Sequence, residues 1–488
     1  MEALLLAIFL PLFLLFIRRS YKINHRPPGP RGLPLIGNMH QFDSVNTHVY
    51  LYKLSQKYGP LMSLQLGSVQ TLVISSASAA REVFRYHDAC FASRPALVGA
   101  QKLTYNSIDI VFAPYTQYWR EMRKITTLHL FSSKRSQSFQ PVREHEVARM
   151  VKTISDGAAD SSIVNLSKTV TTLTSSIIFK ITLGNKMSSK MKSFHWLLAE
   201  TEEIVSSFFF TDYFPVIGHL IDRLSAAWSR VEKRSSKVDA FYQQLIDEYL
   251  QASPASSQDC SILDILLQMR KESSDFTLDH VKAILVDVLV AGADTSATAV
   301  VWAMTLLIKN PTKMKIVQQE VRELIGKKGF VDENDVQKLV YLKAVVKETM
   351  RLHPPAPLLL PHESIDNCVI SGYKIEAKTR TYVNAYAIGR DPECYENPEE
   401  FLPERFLNSS IDFKGQHFEL MPFGTGRRMC PGMLMGVATT ELALANLLYS
   451  FNWELPPGMK KKDIDMASLP GVVVQKKNDL CLVPEITN

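Results

Sequence analysis

In the run Pro422-Phe423-Gly424-Thr425-Gly426-Arg427-Arg428-Met429-Cys430-Pro431-Gly432, one cysteine follows two glycines and two arginines and precedes an apolar helical pattern beginning near Met433. A cysteine at the start of a helix feels the positive end of the macrodipole, and nearby guanidiniums also favour its thiolate, the form that ligates a metal. Gly424 and Gly426 allow a tight turn with positive φ, so the backbone can lie close against a flat ligand. Pro431 is expected at the first helical position, where an amide would lack an intrahelical partner. The other five cysteines, Cys90, Cys260, Cys368, Cys394 and Cys481, are scattered, with no C-x-x-C pair and no histidine pattern. Neither a zinc site nor a redox dithiol is indicated, and those five read as structural.

Three further groupings could carry chemistry. Leu278 to Lys309 is the longest helical pattern, and its middle reads Ala291-Gly292-Ala293-Asp294-Thr295-Ser296. A glycine inside a helix costs roughly 1 kcal/mol relative to alanine, which suggests close approach by another group at Gly292. Thr295 can bond back to a carbonyl one turn earlier, and Asp294 sets a carboxylate beside it; a kinked core helix with a partly exposed acid is the plainer reading. Glu348 and Arg351 share a helix face late in a helix that ends before Pro354, which by itself is only a surface ion pair. Trp119 and Arg123 put an indole donor and a guanidinium one turn apart, again compatible with an ordinary half-buried surface helix.

Taken together, these motifs resemble the cytochrome P450 superfamily. Phe423, Gly424, Gly426, Arg428, Cys430 and Gly432 match its haem-binding loop; Asp294 and Thr295 match its oxygen-activation motif; Glu348 and Arg351 match its Glu-x-x-Arg motif. The resemblance implies haem b, with Cys430 as the axial iron ligand. It also implies a proton relay through Asp294 and Thr295, a form of general acid catalysis. Trp119, Arg123 and Arg428 would bond haem propionates, an arginine being well suited to a carboxylate. Arg405, within Pro403-Glu404-Arg405-Phe406, would complete a buried Glu348–Arg351–Arg405 network on the proximal side of the haem. The hinge, Trp119-Arg120 and the Pro-Phe-Gly-Thr-Gly-Arg-Arg run look most like a plant microsomal enzyme of the family 71 type. Ser296, in place of a frequent second threonine, is a mild departure. By family position the substrate pocket takes residues from Leu97 to Ile110, Phe208 to Phe210, Val290, Leu358 to Leu360 and Val472 to Val474.

These side chains need a large scaffold. The chain has 488 residues, 46% of them hydrophobic and 21% charged, ordinary values for a globular protein with a large core. A net charge of +6 with dispersed basic residues gives no nucleic-acid signature. Leu61 to Ser76 reads as a hairpin turning at Gly67-Ser68, Tyr118 to about Arg351 as mostly helical, and Tyr373 to Val383 as strand-rich. Ala252 to Gln258 has turn chemistry and reads as an exposed loop. The expected fold is mainly α with small β-sheets, a cytochrome P450 fold behind an N-terminal membrane anchor.

Ala3 to Ile17 carries no charge and is followed by Arg18, Arg19, Lys22 and Arg26. Positive charge after the apolar run, with Glu2 before it, favours a retained signal anchor over a cleaved signal peptide. The positive-inside rule then places the amino terminus in the lumen of the endoplasmic reticulum and the rest in the cytosol. On that side the sequons at Asn165 and Asn408 stay unmodified. The expected division is an anchor and basic flank at 1–26, a proline-rich hinge at 27–37 and a haem-thiolate domain at 38–488.

The resemblance implies a monooxygenase that inserts one atom of dioxygen into a small lipophilic substrate. Its electrons would come from NADPH through NADPH-cytochrome P450 reductase, with cytochrome b5 as an optional second donor and membrane lipid as a further partner. Arg120, Lys124 and Arg427 are candidates for the reductase-docking face. Two alternatives stand beside this: a P450-fold isomerase or dehydratase that rearranges a peroxide without dioxygen or reductase, and a haem-binding protein without turnover. Retention of Asp294 and Thr295 argues against both.

Overall fold

The computed structural model describes residues 26–158, 163–184, 190–251 and 261–487. The expected anchor at 3–17 with Arg18, Arg19 and Lys22, the loop at 252–258 and Cys260 lie outside the described residues. The helices that build the central cavity are α1 (Gln117–His129), α2 (Leu166–Leu183), α3 (Met191–Val205), α4 (Leu278–Lys309), α5 (Val340–Leu352) and α6 (Met433–Ser450). The strands are β1 (Leu61–Leu66), β2 (Val69–Ile74), β3 (Val164–Asn165), β4 (His362–Glu363), β5 (Cys368–Ile370), β6 (Tyr373–Ile375), β7 (Arg380–Val383), β8 (Phe451–Glu454) and β9 (Cys481–Ile486). They form a four-stranded sheet in the order β1-β2-β7-β4, a three-stranded sheet β3-β9-β8 and the pair β5-β6. The expected mainly helical fold with small sheets is what the chain adopts.

β1 and β2 make the expected hairpin, with Leu66 opposite Val69 across Gly67-Ser68. Their period-two pattern places Met62, Leu64 and Val73 in one apolar cluster and Leu61, Leu72 and Ile74 in another, so both faces of the hairpin are covered. The proline-rich segment lies along β1. Ser63 donates its amide to Pro28 O at 2.8 Å and its hydroxyl to Pro27 O at 2.7 Å. A Cβ on Gly29 would stand 1.9 Å from Ser63 O, so only glycine allows this approach.

α4 spans 32 residues, as its apolar pattern predicts, and ends at Asn310 before Pro311. Its length and hydropathy would let it cross a membrane, but most of it is buried inside the protein as a core helix. Fully burying one of its valine, leucine or isoleucine side chains is worth about 1.5–3 kcal/mol, which offsets the ordering of so long an element. Residues 290–292, 294 and 295 interrupt the buried surface, and here the helix opens onto the cavity. Gly292 is where α2 comes closest: a Cβ there would meet Ile178 Cδ1 and Cγ1 at 2.7 Å.

Candidate active site

A cavity of about 370 Å³ lies among α1, α2, α3, α4 and the loop before α6. Cys430, Phe423, Gly424 and Gly432 line it on one side. Gly424 and Gly426 adopt φ of 69° and 66°, the conformations expected of them. The turn is closed by the Cys430 amide on Phe423 O at 2.9 Å and by Thr425 Oγ1 on Gly415 O at 2.7 Å. Pro431 departs from expectation: α6 begins at Met433 with Gly432 as its N-cap, so the proline precedes the cap. The Cys430 sulfur is open to the cavity; desolvation by its surroundings raises the thiol, and the Gly432 and Met433 amides and Arg123 pull it down, as the sequence reading expects of them. A cation bound at the sulfur would reverse that balance.

Arg94, Arg123 and Arg428 line the same cavity. Arg428 donates Nε to Ala92 O at 2.6 Å, bonds the Ala113 carbonyl, and lies 3.9 Å over the Trp119 ring. Trp119 Nε1 donates to Ile110 O at 2.9 Å, and Arg123 bonds the Met429 carbonyl. Arg94 reaches Val111 O at 3.1 Å and Leu360 O at 2.8 Å. Burial lowers all three guanidiniums, and for Arg428 the charges of Arg94 and Arg123 add to it, so the cluster favours an anion. A flat iron macrocycle with two carboxylates at its rim would suit this donor set, with Cys430 to hold the iron and Gly424 leaving room on the cavity side. Trp119 does not line the cavity but supports Arg428. Gly426 faces outward, where a Cβ would stand 2.2 Å from Asp88 Oδ1.

On α4, Thr295 Oγ1 donates to Ala291 O at 2.8 Å, the expected back-bond. Asp294 beside it is pushed up to about 6, chiefly by burial and then by the charge of Glu202 on α3. Two turns earlier, Asp287 accepts the Ile110 amide at 3.0 Å. Asp109 takes the Val111 and Phe112 amides at 3.0 and 2.7 Å, and the two buried acids pin residues 109–112 against α4. Burial raises both carboxyls.

Away from the cavity, Arg351 forms a two-pronged pair with Glu348, Nε to Oε2 at 2.7 Å and Nη2 to Oε1 at 2.8 Å. Arg405 Nε joins at 3.1 Å, and the Leu402 amide at 2.7 Å. Both side chains of the Glu348–Arg351 pair are 0% exposed, which removes the surface-pair reading.

Leu103, Thr104, Ile110, Val290, Leu359, Leu360, Val472 and Val473 line the cavity where pocket residues were expected. The Phe208–Phe210 run does not. Phe209 is core, edge-on to Trp228, while Phe208 and Phe210 are exposed and cluster with Tyr213. Sequence reasoning missed Arg94, Phe131, Ile178, Thr201, Glu202 and Asp287 on the wall. Asp287 carried a readable signal, an acid in an apolar run that shares a helix face with Asp294. Nor are all the scattered cysteines solitary: Cys90 donates its thiol to Asp366 O at 3.3 Å, and it lies beside Cys368, whose proximity pulls the Cys90 thiol down.

The cytochrome P450 family model matches residues 27–483, and the chain belongs to that family. It is a monooxygenase of the plant family 71 type. It is 48% identical to cytochrome P450 71A9 of Glycine max over 93% of this chain and 92% of that protein. To 6,7,8-trihydroxycoumarin synthase of Pastinaca sativa it is 46% identical, over 97% of this chain and 96% of that one. A zebra fish cytochrome P450 solved with abiraterone shares the fold, with TM-score 0.75 and 24% identity over 90% of this chain and 99% of that one.

Proposed function

We propose that this enzyme inserts one atom of dioxygen into a small lipophilic plant metabolite and reduces the other to water. Two electrons would come from NADPH through a membrane-bound reductase. The observation that carries this reading is the Asp294–Thr295 pair on the opened stretch of α4, in the same cavity as Cys430. Bound haem supplies the iron at which dioxygen is activated. Cys430 would hold that iron, and Arg94, Arg123 and Arg428 its carboxylates. Asp294, with a pKa of about 6, exchanges a proton near neutral pH. The Thr295 hydroxyl, one residue on, can release Ala291 O and pass that proton into the cavity. Ile110, Val111, Phe112 and Ile178 make the surrounding wall apolar. The relative named 6,7,8-trihydroxycoumarin synthase makes coumarins the first scaffolds to try.

Thr295→Ala is expected to leave haem content and NADPH consumption in place. The ratio of organic product to NADPH consumed should fall by about an order of magnitude or more, the scale of a lost general acid. Electrons then appear as peroxide or water. A wild type that forms product with neither reductase nor dioxygen, matched by the alanine variant, would establish peroxide rearrangement instead.

The reading includes a membrane anchor at the amino terminus. In support, Leu33, Leu35 and Ile36 are exposed, as are Val216, Ile217, Leu220 and Leu224. The two groups adjoin through the turn at Gly67-Ser68, whose amides bond Ile36 O at 3.1 Å and Tyr213 O at 2.9 Å. An apolar patch of this kind beside the proline-rich hinge suits a lipid surface. Of the proposed reductase-docking residues, Arg120 and Lys124 are exposed, whereas Arg427 is paired with Asp88 at 2.5 Å. Protease added to sealed microsomes should digest the domain, and no glycan should be found on Asn165 or Asn408. Full protection would overturn this topology.

A further inference from the structure

Three acids stand in the C-terminal half of α3, where a carboxylate opposes the helix dipole: Glu200, Glu202 and Glu203. Two have a partner, since Arg234 binds Glu200 at 2.6 Å and Glu203 at 2.8 Å. Glu202 points elsewhere, into the cavity that also holds Asp294 and Cys430. Its carboxylate makes no ion pair or side-chain hydrogen bond among the described residues. The loop at 471–473 closes beside it: a Cβ on Gly471 would stand 3.3 Å from Glu202 Oε1, and Val472 and Val473 line the cavity next to it. Thr201, on the same wall and 1% exposed, has a hydroxyl oxygen without a partner, although a helical threonine ordinarily bonds back one turn. Glu202 is exposed as a residue, its carboxyl is raised by partial desolvation, and its charge raises Asp294 across the cavity.

A carboxylate left unpartnered in a mostly apolar pocket fixes the orientation of a ligand that brings its own donor. We propose that Glu202 is a specificity-determining residue that receives a hydrogen bond from an O–H or N–H group of the substrate. The substrate class is therefore a lipophilic molecule with one hydroxyl or amine, not a bare hydrocarbon or a fully alkylated ether. The proposal rests on the monooxygenase reading for the presence of a substrate in this cavity. It goes beyond that reading in assigning the recognising group.

The test uses haem-loaded, full-length wild type, Glu202→Leu and Glu202→Gln. Each is first checked for the reduced carbon monoxide spectrum, so that failure of the haem-thiolate reading is seen separately. Matched sets of a small bicyclic aromatic, as free hydroxyl, primary amine and methyl ether, are then titrated by haem absorption and by heat of binding. The wild type should bind one donor form about tenfold or more tightly than the ether, as expected for a hydrogen bond to a charged group. Glu202→Leu should erase that preference. Glu202→Gln should keep a hydroxyl preference and lose an amine preference, which tells the two sources apart. A wild type without preference for either donor form overturns the proposal, as does a leucine variant that keeps it. It is also overturned if the variants change only the ratio of product to NADPH consumed, since Glu202 would then feed protons to Asp294.

Discussion

Cys430→Ser is expected to abolish the red-shifted band of the reduced carbon monoxide complex, and oxygen transfer with it. The substitution is close to isosteric, and the backbone of the loop does not depend on the sulfur: the Cys430 amide is fixed on Phe423 O at 2.9 Å. Fold and cavity should therefore survive, with the loss confined to the donor atom. Desolvation raises the thiol, and a bound metal cation is what would favour the thiolate. An alcohol in the same place ionises far less readily and donates much less electron density to iron. The measurements are the carbon monoxide difference spectrum, haem content and thermal unfolding of the purified variant. A serine variant that retains the band would remove Cys430 from the ligand position. Loss of the band together with unfolding would make the loop a structural element instead.

The scaffold was legible in the sequence wherever a periodic pattern runs long enough to be unambiguous. α4 occupies Leu278–Lys309 as its pattern predicts, and Gly292 marks a close approach, made by Ile178. The β1–β2 hairpin was legible because Gly67-Ser68 separates two alternating runs. Direction was harder to read than existence. Phe208, Phe209 and Phe210 are chemically equivalent in the sequence, yet the chain leaves α3 so that Phe209 enters the core and its neighbours face outward. Glu200, Glu202 and Glu203 are likewise alike until Arg234, on another helix, takes two of them. Partners far apart in the chain cannot be read from spacing, and Ile110 with Asp287 and Cys90 with Asp366 are examples. At Cys430 the dipole and guanidinium effects read from the sequence are present, as the Gly432 and Met433 amides and Arg123, and desolvation, which spacing does not reveal, opposes them.

Glu348→Gln and Arg351→Ala are each expected to destabilise the protein by roughly 3–5 kcal/mol, the usual cost of stranding one member of a buried ion pair. Glu348 satisfies Arg351, Arg405 and the Leu402 amide at once. Arg351 also reaches Pro398 O at 2.6 Å, Glu400 O at 2.9 Å and the Gly389 carbonyl. The pair thus ties α5 to the irregular segment at 389–405, on the chain's path to the Cys430 loop. A glutamine keeps the shape but leaves two guanidiniums without a counter-charge; an alanine removes five bonds and leaves a buried carboxylate. The consequence should be poor haem incorporation and a lower unfolding midpoint, with substrate preference unchanged in whatever fraction is loaded. Arg405→Ala, whose guanidinium is 13% exposed and also bonds backbone carbonyls at the surface, should cost less than Arg351→Ala. Haem-to-protein ratio and denaturant unfolding of the three variants rank these effects. If Glu348→Gln keeps wild-type stability and haem content, the network is not what holds this segment. An order in which Arg405→Ala exceeds Arg351→Ala would place the anchoring bonds at the surface rather than in the buried pair.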